Sequence, residues 1–176
     1  MSMDIPYNLP LDRNPYNVSY LLRNTHIYTC NGYVSIQYIK VGTLIPTFIS
    51  GNKKVTNIGI KTYKISSDII HPSLKIYKYP CGLRTSGKQT VLVDCLSEEQ
   101  QDDVITLLGE LKQVEGKCVL PVCIDPDAFE LPLTGLISVY HLVLENDDDD
   151  GSYGILSHGK WVETCSKNNF EKYVRL

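Results

Sequence analysis

From Thr25 onward, apolar and polar residues alternate in short runs separated by turn-forming pairs, the period of half-buried strands. Asn31-Gly32 lies between Thr25–Cys30 and Tyr33–Ile39, and Asn-Gly between such runs predicts a hairpin. Gly51-Asn52 separates Leu44–Ile49 from Val55–Ile65 in the same way, and Leu74–Tyr79 and Thr90–Cys95 read as further short strands. Beyond residue 113, Cys118–Ile124, Leu136–Leu144, Tyr153–Ser157 and Trp161–Cys165 repeat the strand pattern, the last two flanking a turn at His158-Gly159. Asn168–Tyr173 predicts a short final helix.

The period changes once. Ser97 with Gln100 forms a capping box, and Val104, Leu107, Leu108 and Leu111 recur at helical spacing, which predicts an amphipathic helix over 97–113. Glu98, Glu99, Asp102 and Asp103 in its first turns complement the positive end of the helix dipole. Before the first strand, residues 1–24 carry Pro6, Pro10 and Pro15, and Pro-Tyr-Asn occurs twice. Proline fixes φ and removes a donor, so 1–24 reads as an extended arm, either strapped across its own domain or docked on a neighbour through Pro6, Tyr7, Pro15 and Tyr16. The predicted class is α+β: mainly antiparallel sheet with one main helix, an arm at 1–24 and a single domain over 25–176.

Size and composition agree with one globular domain: 176 residues, 43% hydrophobic and 21% charged. The longest apolar stretch, Leu133–Leu144, is short and contains Thr134, Ser138 and His141, so no transmembrane segment is expected. Asp4, Asp12 and Arg13 interrupt any signal-peptide pattern near the N-terminus, and the six cysteines are then expected as thiols in the cytoplasm.

Charge changes the picture more than composition does. The net charge is −3, yet residues 40–88 hold nine basic groups against the single acid Asp68, a net of +8, while residues 92–150 hold fifteen acids against Lys112 and Lys117, a net of −13. Such segregation points to a polyanion partner, to basic-to-acidic association between copies, or to neutralisation within one monomer. Lys53, Lys54, Lys61, Lys64, Lys75 and Lys78 are the candidate basic surface. Lys75, Tyr77 and Tyr79 share a strand face, a combination suited to stacking bases and pairing phosphates. The expected partners are further copies of the chain, a ribonucleoprotein or RNA, and a peripheral acidic membrane surface.

Catalytic motifs are sparse. Gly82–Lys88 has the Gly-x4-Gly-Lys spacing of a phosphate loop, but Gln89 stands where Ser or Thr should hold magnesium, and a strand follows in place of a helix. Cys118 and Cys123 face opposite ways on a strand, which disfavours a shared metal; zinc drawing on Cys95, His141 or His158 is a minor alternative. Ile155–Gly159 resembles the stretch around the catalytic histidine of caspases, without that family's nucleophile motif. His26 with Cys30, or His71 with Cys81, are the remaining nucleophile–base combinations. No cofactor is expected.

The stretch Gly154-Ile155-Leu156-Ser157-His158-Gly159-Lys160-Trp161-Val162-Glu163-Thr164-Cys165 is similar to the final hairpin of rhabdovirus matrix proteins, where a strand, a short turn and a Trp-Val strand end the chain. The size and the proline-containing arm also resemble the short matrix proteins of plant-infecting members. The resemblance implies a virion-layer protein that condenses the nucleocapsid and self-associates through its N-terminal segment, in the host cytoplasm and the virion. The chain departs from the family in lacking a Pro-Pro-x-Tyr motif and a lysine-rich N-terminus. The leading expectation is therefore a non-enzymatic, self-associating matrix-like protein. A module sequestering one protein partner comes second and a Cys/His hydrolase third.

Overall fold

The structure, a computed structural model, describes residues 19–68 and 71–174. Among them the strands are β1 (Leu21–Leu22), β2 (His26–Thr29), β3 (Gly32–Ser35), β4 (Leu44–Pro46), β5 (Asn52–Ile65), β6 (Ile76–Lys78), β7 (Arg84–Ser86) and β8 (Thr90–Val93). Helix α1 (Glu98–Leu108) follows, and then β9 (Gln113–Val114), β10 (Lys117–Pro121), β11 (Phe129–Leu131), β12 (Gly135–Leu144), β13 (Gly154–Ser157) and β14 (Lys160–Glu163). A last helical turn, α2 (Lys167–Asn169), widens into a π-helical turn over Phe170–Val174.

Two seven-stranded antiparallel sheets result. One runs β11-β6-β7-β1-β12-β5-β4 and the other β3-β2-β13-β14-β8-β10-β9. The predicted hairpins form, with local chemistry that explains them. In β2–β3 the turn falls on Cys30-Asn31, one residue earlier than expected. Thr29 pairs with Gly32 across it, Gly32 adopts φ 94°, and the Thr29 hydroxyl donates to the Gly32 carbonyl at 2.7 Å. In β13–β14 the turn at His158-Gly159 places both residues at positive φ.

The expected α+β class is corrected. The architecture is two packed sheets, and α1 is too short to form a layer. Its capping box is present, but Gly109 at φ 83° ends the helix after Leu108, so residues 109–113 are not helical and Gln113 begins β9. Only Val104 of α1 is fully buried, because the sheets already cover each other's apolar faces.

The arm is corrected at its inner end. Residues 1–18, with Pro6, Tyr7, Pro15 and Tyr16, lie outside the described residues. Ser19 to Leu22 are core: β1 sits inside the first sheet, Leu21 opposite Tyr140 on one side and Thr85 on the other, and Leu21 is fully buried. The main core, including Leu21, Ile27, Tyr79, Leu120, Leu142 and Ile155, fills the space between the sheets. A second cluster lies on the outer face of β5 and β12, where Val143 and Cys165 meet Phe170 and Val174. Gly59 makes this packing close, since a Cβ there would sit 2.4 Å from Val174 Cγ1 and 2.8 Å from Phe170 Cε2.

Candidate active site

Where β1 enters the sheet, the Ser19–Tyr20 peptide is surrounded by buried polar groups. Backbone groups in such a place need partners, and here side chains supply them. Tyr20 N–H donates to Gln89 Oε1 at 2.6 Å, and the Tyr20 carbonyl accepts from the Thr85 hydroxyl at 2.7 Å. The Ser19 hydroxyl accepts from Leu142 N–H at 3.0 Å. Gln89 can turn only one way, because its amide nitrogen donates to the carbonyls of Thr90 at 2.8 Å and Glu163 at 3.0 Å.

Two reactive side chains complete the site. His141, on β12, is fully buried and meets the Tyr20 ring edge-on, with centroids 5.2 Å apart. Neither of its nitrogens makes a hydrogen bond of good geometry. Burial holds the imidazole down at about 4, against the opposing Ser19 backbone and with help from the Lys61 charge, so at neutral pH the ring is uncharged. Cys165 follows β14 and is likewise buried. Its N–H donates to the Leu142 carbonyl at 2.9 Å, so one residue, Leu142, holds Ser19 through its nitrogen and Cys165 through its oxygen. Burial pushes the Cys165 thiol up to about 12. The Ser19 backbone works against that shift, Glu163 adds to it and Lys112 opposes it.

Glu163 ties the site's outer side together. This carboxylate, 1% exposed, accepts from the hydroxyls of Thr90 at 2.5 Å and Ser152 at 2.7 Å and pairs with the Lys112 ammonium at 2.5 Å. A buried carboxylate is tolerable only with such partners. The arrangement is a buried amide fixed by Gln89, with a cysteine and an imidazole among the residues packed around it.

The residues expected to form one basic surface are distributed differently. Lys53 lies over the Tyr153 ring at 5.6 Å, the Lys61 ammonium donates to the Tyr173 carbonyl, and Lys75 pairs with Glu130 at 3.2 Å, joining the basic segment to the acidic one. Lys54 and Lys64 are exposed and Lys78 half-buried. Tyr77 and Tyr79 are buried, and the Tyr79 hydroxyl donates to Asp125 at 2.8 Å. The expected lysine–tyrosine stacking face is therefore absent, because those rings belong to the core.

The expected nucleophile–base pairs find other partners. His26 stacks on His158, with centroids 5.4 Å apart and planes 6° apart, and His71 Nδ1 lies 2.6 Å from the Ser73 hydroxyl. Among the described residues no three His, Cys, Asp or Glu side chains converge as metal ligands. Gln89, which spoiled the phosphate loop, is what holds the Tyr20 amide. The one available sequence signal for the site was polar residues set in apolar strand runs: His141 within β12, and Glu163 and Cys165 directly after Trp161-Val162.

No family model matches the chain, and no curated protein matches it. Solved structures do. A bacterial intein-like domain from Clostridium thermocellum is 12% identical with a TM-score of 0.48, covering 82% of this chain and 96% of that one. The gp41-1 intein is 16% identical at 0.44, covering 84% and 98%. The Msm DnaB1 intein splicing domain, bound with zinc, is 12% identical at 0.45, covering 82% and 98%. These similarities run to inteins and not to matrix proteins. The expectation of a non-enzymatic, matrix-like virion protein is corrected on that finding and set aside.

Proposed function

We propose that this protein processes its own backbone by intramolecular acyl transfer at the Ser19–Tyr20 bond, with Cys165 as nucleophile and His141 as the proton carrier. The observation that carries the reading is that Leu142 ties the Cys165 backbone to the Ser19 hydroxyl and the His141 ring meets the Tyr20 ring edge-on, while Gln89 grips the Tyr20 amide. In the step, Cys165 Sγ forms a bond to the Ser19 carbonyl carbon and the bond from that carbon to Tyr20 N breaks. The thiol proton passes to His141 and from it to the leaving Tyr20 amine. Residues 1–19 are then held on Cys165 as a thioester, which water converts to a carboxylate and the free thiol. Gln89 holds the amide in one orientation throughout, an entropic advantage over a free thiol attacking a free peptide.

A thiol held near 12 is almost wholly protonated at neutral pH, so the reaction is slow there. The test is incubation of the purified chain at pH 7 to 10 with and without hydroxylamine, followed by intact-mass measurement. A fragment beginning at Tyr20 is expected, with residues 1–19 released as the hydroxamate. Absence of cleavage across that range, or cleavage that persists in Cys165→Ala, overturns the reading.

A further inference from the structure

We propose that the loop 48–50 together with Gly154 is a carboxylate-binding site, which Glu115 fills as a ligand built into the chain. Four backbone N–H groups converge on the Glu115 carboxylate. Oε1 accepts from Ile49 at 3.1 Å and Ser50 at 2.9 Å, and Oε2 accepts from Phe48 at 3.3 Å and Gly154 at 2.8 Å. Successive N–H groups aimed at one point form a concavity for anions, in which backbone dipoles meet the charge. Lys117, two residues on, is engaged elsewhere: it pairs with Asp94 and lies over the Phe48 ring at 4.7 Å. The set offers two donors to each of two oxygens, which matches a planar carboxylate and leaves the further oxygens of a phosphate unserved.

Neither the turn that carries Glu115 nor the loop that receives it needs the carboxylate for its shape. Val114 pairs with Lys117 across the β9–β10 hairpin, so Glu115 and Gly116 form its two-residue turn, both at positive φ, 50° and 80°. Such turns favour Asn, Asp or Gly, and a glutamate gains nothing from that conformation. Its side chain accounts for its presence. The receiving loop is held by bonds of its own. The Thr47 N–H and hydroxyl donate to the Gly51 carbonyl at 3.0 and 2.7 Å. Ser50 N–H also reaches Thr47 Oγ1 at 2.9 Å, and Phe48 N–H also reaches the Gly154 carbonyl at 3.0 Å. A Cβ at Gly154 would sit 3.5 Å from Glu115 Oε2, and glycine leaves that approach open. The contact also latches together the hairpins of β4 and β9, each of which lies at one end of its sheet. None of these residues belongs to the candidate active site, and the carboxylate site does not depend on its chemistry.

The test removes the built-in ligand and offers a free one. The full chain, as wild type and as Glu115→Gly, is 15N-labelled and titrated with sodium acetate at neutral pH and constant ionic strength, with chloride and inorganic phosphate as comparisons. Glycine suits the positive φ of that turn. In Glu115→Gly the amide signals of Ile49, Ser50 and Gly154 should move saturably, with a midpoint at roughly 1–100 mM acetate. At ten times that midpoint its melting temperature should rise by about 3–6 °C beyond any rise in wild type. Wild type, its site being full, should show no saturable shift at these amides. The absence of such a shift in the variant, or the same shift in both proteins, overturns the proposal. Phosphate binding as tight as acetate overturns the assignment to carboxylates. If Glu115→Gly does not fold in chloride buffer, refolding becomes the readout. Recovery in acetate but not in chloride of equal ionic strength supports the site, and failure in both overturns it.

Discussion

Replacing Gln89 with alanine removes the group that joins β1 to the second sheet. Three hydrogen bonds go with it: the acceptor for Tyr20 N–H at 2.6 Å and the donors to the Thr90 and Glu163 carbonyls at 2.8 and 3.0 Å. Every residue involved is buried, so water does not replace the lost partner without opening the sheet. An unsatisfied buried group costs about 1–3 kcal/mol. The N–H bears the full penalty, since its one proton has no second acceptor, while each carbonyl keeps a lone pair for other donors. A loss of about 3–5 kcal/mol is expected, a large share of the roughly 5–15 kcal/mol that stabilises a domain. The assay is equilibrium urea unfolding of both proteins, where a lower midpoint at unchanged slope reports stability alone. Gln89→Glu should serve as the control. Its carboxylate still accepts from Tyr20 but faces two carbonyls, so it should be tolerated at acid pH and costly above neutrality. A loss below about 1 kcal/mol for the alanine variant would show that the peptide is not held as described.

Two further outcomes are expected. Glu115 accepts from the backbone N–H groups of Phe48, Ile49, Ser50 and Gly154, at 3.3, 3.1, 2.9 and 2.8 Å. These bonds outweigh the opposing effect of burial and lower its carboxyl; His141 is lowered to about 4 by burial. In both cases the unfolded chain binds more protons than the folded one as pH falls, so stability is present above the unfolded-state values and is lost on acidification. Thermal melts from pH 7 to 3 should fall through this window, and Glu115→Gln should flatten the lower part of the fall. Separately, Gly59→Val drives its side chain into Val174 and Phe170, and should cost about 1–3 kcal/mol by overpacking and detach the C-terminal turn. Loss of protease resistance confined to the last residues is the measurement, and an unchanged digest would contradict the described packing.

Hairpins were legible in the sequence because their signals are local. Thr29, Asn31 and Gly32 carry their own turn, and so do His158 and Gly159. The capping box was legible for the same reason, whereas the helix end was not. Leu111 continued the helical spacing while Gly109 took a left-handed conformation that stopped the helix. The site was illegible for a different reason. Leu21 pairs with Tyr140 and Thr85, far along the chain, and nothing local in a proline-containing segment announces a central strand. His141 and Cys165 read as odd members of apolar runs, since a polar group's partners in a core are set by tertiary contacts. Tyr77 and Tyr79 show the converse: an alternating strand pattern fixed their shared face and not whether that face was inward.

The seat of β1 also governs how this chain reaches its native state. Leu21–Leu22 is made well before its partner on one side, β12, which lies far along the chain. At synthesis speeds of roughly 5–20 residues per second, the stretch from Leu22 to Tyr140 takes roughly 6–24 s to emerge. Until β12 emerges, the central strand of the first sheet has only β7 to pair with, and β5, its neighbour but one, exposes an unpaired edge along its 14 residues. Long-range pairing of this kind makes folding slow. A strand at the centre of the sheet is thus secured on both sides only late, and the candidate site does not exist until that closing step has occurred.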